Sequence, residues 1–142
     1  MTVTAINYTA VLVAAVAAWL AGAAWYSLLG GAWAKALGRD MQAFRAERAG
    51  ARGMARFAPF VLAFVADFVI AASLAGLMWH LKTVSIRGGI VTAVLAWIGF
   101  VVTTMSVNNA FAGRRAALTV IDSGHWLVVL LVCGAVIGAF GV

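Results

Sequence analysis

The 142-residue chain is 65% apolar and 10% charged, with a mean hydropathy of +1.07, against about 45–50% apolar and about 25% charged in soluble domains. A soluble core of this size cannot hide so much apolar surface, so lipid must solvate the remainder, and the same figures exclude a disordered chain. The net charge of +6 does not point to nucleic acid, because the positive residues gather mainly in one loop between apolar segments, as membrane orientation signals do.

Four apolar stretches are long enough to cross a bilayer, which takes about 20 helical residues. They run near 6–29, 57–81, 88–110 and 118–141, with a basic loop at 30–56. Backbone in lipid must satisfy its own hydrogen bonds, so all four are predicted helices. The expected fold is therefore an all-α, antiparallel four-transmembrane-helix bundle in a single membrane domain, 1–142, with a short amphipathic segment between spans one and two. Ala21-Gly22-Ala23 resembles a signal-peptide cleavage site, but residues 1–8 carry no Lys or Arg and the apolar run is too long. Span one is accordingly read as retained.

Orientation follows from the basic residues. Lys35, Arg39, Arg45, Arg48, Arg52 and Arg56 lie in loop one and Arg114 and Arg115 in loop three, leaving only Lys82 and Arg87 in loop two. The positive-inside rule then puts loops one and three in the cytoplasm and both termini outside, in a bacterial inner membrane. Trp25, Tyr26 and Trp33 suit the cytoplasmic interface in this arrangement, and Tyr8 and Trp79 the opposite one. Within the basic loop, Trp33, Leu37, Met41 and Phe44 follow helical spacing, which reads as an amphipathic helix on an anionic leaflet. A solvated loop that only fixes topology is the alternative. Gly50 and Gly53 are expected to end that helix, and Pro59 to sit in the first turn of span two.

Small residues mark the faces where helices meet. Ala10, Ala14, Ala18 and Gly22 form a ladder along span one, Ala72 and Gly76 a pair in span two, and Gly134 and Gly138 a GxxxG in span four. Span three carries Gly88, Thr92, Ala96, Gly99, Thr103 and Ser106 along one side. Such faces allow close approach where lipid supplies no hydrophobic driving force. A surplus face, with the GxxxG as its candidate, is expected to serve a homodimer. Cys133, the single cysteine, excludes an internal disulfide and reads as a packing residue.

Two polar features stand inside the spans. Asp67 lies near the middle of span two, where a carboxylate costs about 2.5–3.5 kcal/mol on insertion scales. With Ala63, Ala71 and Ala75 at four-residue spacing it should face other helices, either as a proton-titrating group or as a neutral acid hydrogen-bonded to a Thr or backbone carbonyl. The second feature is a cytoplasmic-side polar cluster of Tyr26, Ser27, Asn108, Asn109, Asp122, Ser123 and His125. Asp122 and His125 share a helix face at i, i+3 spacing, so a proton relay is one reading. Asp122 as a cap of span four, or paired with Arg114 or Arg115, is the other. No Walker loop, HExxH, GxSxG or Rossmann glycine pattern occurs, so no catalytic residue, metal or cofactor is predicted.

Asn7-Tyr8, Trp25-Tyr26-Ser27 followed by Trp33, Lys35 and Gly38, Gly113-Arg114, and Ile121, Gly124 and Gly134-Ala135-Val136-Ile137-Gly138 together resemble the bacterial DUF1761 membrane proteins, a four-span family of unknown function. The resemblance spans nearly the whole chain and implies fold and membrane location, without a reaction or cofactor. The chain departs from the family pattern at Leu28, where many members have proline, at Asp122, often asparagine, and at His125-Trp126, which stands for a tyrosine-histidine pair. The pattern has no acid at the place of Asp67. Three functions compete: a small transporter or channel titrating Asp67; a structural or accessory subunit packing against other membrane proteins; and a membrane cofactor binder or enzyme using His125 or His80. The expected partners are the bilayer, with anionic lipid at the basic loop, and a second copy or another membrane protein; no nucleic acid is expected.

Overall fold

The structure, a computed structural model, describes residues 6–141; residues 1–5 and 142, which entered the orientation argument as uncharged termini, lie outside the described residues. Four helical rods long and apolar enough to cross a membrane pack together: Tyr8–Leu37, Ala58–His80, Ile86–Phe111 and Ala116–Phe140. The chain is thus an all-α, multi-pass membrane protein. Tyr8–Leu37 is α1, Met41–Gly50 is α2 and Ala58–His80 is α3. The third rod consists of α4 (Ile86–Ala96), a π-helical stretch (Trp97–Val102) and α5 (Thr103–Phe111), and Ala116–Phe140 is α6.

Local chemistry sets these boundaries. Asn7 caps α1, its Oδ1 accepting from the Ala10 N–H at 3.1 Å, and Ser85 caps α4 through Gly88 N–H at 3.0 Å. Pro59 sits in the first turn of α3, where its missing N–H leaves no helical bond unmade. Helix α1 continues past residue 29 to Leu37 and stops at Gly38, which takes a left-handed φ of 76°. At 30 residues α1 is about 45 Å long, well beyond the roughly 30 Å hydrocarbon core, so its last turns project from the bilayer.

The amphipathic segment is therefore two pieces, the end of α1 and the separate helix α2. In one straight helix Trp33 and Phe44 would stand about 16 Å apart along the axis; their rings meet at 5.6 Å. The chain turns back at Gly38, and α2 starts from an Asp40 cap whose Oδ1 accepts from Gln42 N–H at 2.8 Å.

Helix α6 is the centre of the bundle, packed against α1, α4 and α3, while α1 also packs on α3. Its partners approach closely because their facing residues are small: Ala14, Ala15 and Ala18 of α1, Ala71 and Ala75 of α3, and Ala93 of α4 are all fully buried. The pair read from span two shifts by one position, since Gly76 has nothing within 4 Å of a built Cβ and the buried residues are Ala71 and Ala75. The GxxxG is spent inside the chain: a Cβ on Gly134 would strike the Gly89 carbonyl, and one on Gly138 the Ser85 carbonyl. It holds α4 against α6 and does not present the free homodimer face expected of it. The stripe on span three divides in two, with Thr92 buried and Gly99, Thr103 and Ser106 exposed.

Candidate functional site

Asp67 lies about 14 Å from the start of α3 and is 3% exposed. Trp19 of α1 donates its indole N–H to the Phe60 carbonyl at 3.1 Å and packs edge-on to Phe64. Those contacts hold α1 against α3 one to two turns before Asp67. Ala14 of α1 also faces α6, where the Cys133 thiol lies 3.9 Å from its carbonyl oxygen. One turn beyond the acid, Ala71 is fully buried in the same core as Ala14, Ala15 and Cys133. The Oδ1 of Asp67 is buried without a hydrogen-bond partner, and among the described residues no Thr or backbone group donates to it. Ala63, counted in its small-residue stripe, is exposed.

The second group gathers at the end of the bundle that carries the basic loop. Tyr26 donates its hydroxyl proton to Asp122 Oδ1 at 2.7 Å, and its ring lies over the His125 imidazole at 4.9 Å between centroids. His125 also meets Trp126 edge-on. The imidazole fits because residue 22 is glycine: a Cβ there would come within 2.6 Å of His125 Nε2. Its Nδ1 is buried and unpartnered. Asp122 and His125 share a face yet do not bond each other; the tyrosine between them bonds one and covers the other. Asp122 lies within α6, whose capping residue is Arg115, and among the described residues it pairs with neither Arg114 nor Arg115. Arg115 donates instead to the Lys35 carbonyl at 3.0 Å.

Two indoles complete this end. Trp25 donates to the Ile121 carbonyl at 3.1 Å and lies against Gly124, so it joins α1 to α6 where the sequence suggested an interfacial belt. Trp97, the first residue of the π-helical stretch, donates to the Ser123 carbonyl at 2.7 Å. No motif in the sequence singles out Trp97, whereas Gly124 marks the place of Trp25 on α6. Asn109 donates to Thr119 at 2.9 Å and ties the short third loop. Ser27 and Asn108 are exposed, Ser27 bonding the Ala23 carbonyl of its own helix. Of the predicted cluster, Tyr26, Asp122 and His125 form a unit, Ser123 contributes its backbone, and Ser27 and Asn108 stand apart.

The family sequence model of DUF1761, described as a protein of unknown function, matches residues 9–138. The chain belongs to the DUF1761 family. No curated protein and no solved structure gives a significant match. Several residues that carried the resemblance have structural duties here: Asn7 caps α1, Gly38 ends it, Trp25 and Tyr26 bond α6, and Gly134 and Gly138 seat α4. His80 sits at the far end of α3, edge-on to Trp79 and remote from His125. Among the described residues no three His, Cys, Asp or Glu side chains gather as a metal site would require.

Proposed function

We propose that this DUF1761 protein is a small transporter or channel-like protein in which Asp67 takes up and releases a proton. One observation carries the reading: Asp67 is 3% exposed and its Oδ1 has no partner. An acid retained only to lock helices together would engage a donor or carbonyl on a neighbouring helix, and no such bond is present among the described residues. The charged form is left uncompensated at a depth where it costs about 2.5–3.5 kcal/mol. In this reading the group takes up and releases its proton when water or a cation reaches it.

A neighbouring cleft serves, in this reading, as the route of access. A cleft of about 270 Å³ separates α3 from α5 over a floor of α6, lined by Ile70, Phe100, Val101, Thr104, Met105, Trp126 and Leu130. Ile70 is one turn beyond Asp67, and Phe100 and Val101 belong to the π-helical stretch, a type of irregularity frequent at functional sites. In this reading, a shift of the third rod about that stretch widens the cleft and wets Asp67. The protein sits in a bacterial inner membrane with the basic loop in the cytoplasm, as the positive-inside rule directs, and the Tyr26–Asp122–His125 group lies at the cytoplasmic mouth. A second reading, an oligomeric or accessory subunit, is favoured by the exposed Gly99, Thr103 and Ser106 stripe on the third rod.

Proton flux tests the first reading. Liposomes containing the purified protein and an entrapped pH dye, driven by a potassium diffusion potential, should acidify faster than empty ones. Asp67→Asn should abolish the difference, whereas Asp122→Asn should retain it. Equal flux in the wild type and Asp67→Asn removes the role assigned to Asp67.

A further inference from the structure

One surface recess belongs to neither polar group. It is an apolar groove of about 570 Å³ between α1 and α3, lined by Val16, Trp19, Phe57, Phe60, Val61 and Phe64. From Phe57 to Phe64 it extends about 10 Å along α3, starting at the end of the bundle that bears the basic loop. Two arginines stand over that end. The Arg48 guanidinium of α2 lies 5.6 Å from the Phe44 ring and 5.3 Å from the Phe60 ring, held between one helix and the next. Arg56 lies 5.7 Å from Phe57.

An aromatic contact of this kind does not consume the N–H donors of a guanidinium group. Among the described residues neither arginine donates a side-chain hydrogen bond or meets a carboxylate; the ion pair present there joins Arg39 to Glu47. The recess therefore combines an apolar slot parallel to the helices with two uncommitted cations at its polar end. Basic pockets between transmembrane helices at the cytoplasmic surface suit anionic headgroups, and guanidinium donates in pairs to phosphate oxygens.

We propose that the α1–α3 groove is a binding site for an anionic phospholipid, with one acyl chain lying along Trp19, Phe60 and Phe64 and the headgroup phosphate between Arg48 and Arg56. Helix α2 has a specific duty here: by folding back at Gly38 it carries Arg48 over Phe60. The site rests on the proposed placement of the basic loop at a leaflet surface, but lipid retention by purified protein does not depend on which leaflet that is.

The test is native mass spectrometry of the detergent-purified chain, offered equal amounts of phosphatidylglycerol and phosphatidylcholine with matched acyl chains. The wild type should retain phosphatidylglycerol about thirtyfold over phosphatidylcholine, a preference of the size expected from two basic groups. Arg48→Gln with Arg56→Gln should abolish the preference, and Val61→Trp, which fills the groove and keeps both arginines, should release the bound lipid. Arg45→Gln with Arg52→Gln removes the same charge from the same loop and should change neither. Equal losses in the two double variants would reduce the effect to diffuse charge. Retention by Val61→Trp, or no preference in the wild type, overturns the site itself.

Discussion

At the scale of single residues, the bundle works by pairing a large group on one helix with a missing side chain on the next. His125 enters the α1–α6 seam only because Gly22 has no Cβ, and Trp25 lies on α6 only because residue 124 is glycine. Gly22→Val should drive the imidazole off Tyr26 and lower stability by about 1–3 kcal/mol, the usual effect of overpacking. Gly31→Ala is the matched control. That site has nothing within 4 Å of a built Cβ, so the change should be neutral or stabilising by up to about 1 kcal/mol through helix propensity. Thermal unfolding in detergent, followed by circular dichroism, separates the two. Gly22 and His125 were each visible in the sequence, Gly22 on a small-residue ladder and His125 in a polar cluster. Their contact was not, because one sequence carries no register between helices far apart in the chain.

At the scale of elements, the same ladders divide into used and unused faces. The Gly134–Gly138 motif is consumed by α4, backbone against backbone, whereas Gly99 on the same third rod faces open space. Gly134→Ala should therefore separate α4 from α6 and destabilise the protein by at least about 1–3 kcal/mol, since a backbone carbonyl cannot swing aside as a side chain can. Gly99→Ala should leave the monomer's stability unchanged within about 0.5 kcal/mol. Urea unfolding in mixed micelles reads both. The four apolar spans and the first-turn place of Pro59 were legible because length, hydropathy and proline chemistry are local properties. The back-folding of α2 was less so: Trp33, Leu37, Met41 and Phe44 keep helical spacing across Gly38, and only the left-handed φ at that glycine breaks the helix there. The π-helical stretch has no sequence signature here; its hydrogen bonding departs from the α pattern beside the Trp97–Ser123 contact.

At the scale of the whole molecule, charge is distributed by end. Eight of the ten basic residues fall in loops one and three, and Arg115 even bonds the end of α1, so one end of the bundle is strongly positive. The native Cys133 is buried, which makes cysteine labelling a clean probe of topology. In intact cells a membrane-impermeant maleimide should label Val84→Cys, exposed in loop two, and spare Arg52→Cys in loop one until the membrane is permeabilised. The reverse pattern would invert the proposed orientation and move the polar Tyr26 end to the outside. Fold and membrane location follow from composition and hydropathy. The candidate chemistry does not follow in the same way, because the surroundings of Asp67 are set by how helices distant in sequence meet.

In the proposed function Asp67, 3% exposed and without a partner at its buried Oδ1, exchanges a proton with the outside. Infrared difference spectroscopy of the protein in lipid, recorded across a pH titration, addresses it most directly. The account predicts a protonated-carboxyl carbonyl band in the wild type that disappears as pH is raised, returns on acidification and is missing from Asp67→Asn. A band assigned to Asp67 that stays constant throughout the titration would contradict it, leaving a permanently neutral packing residue.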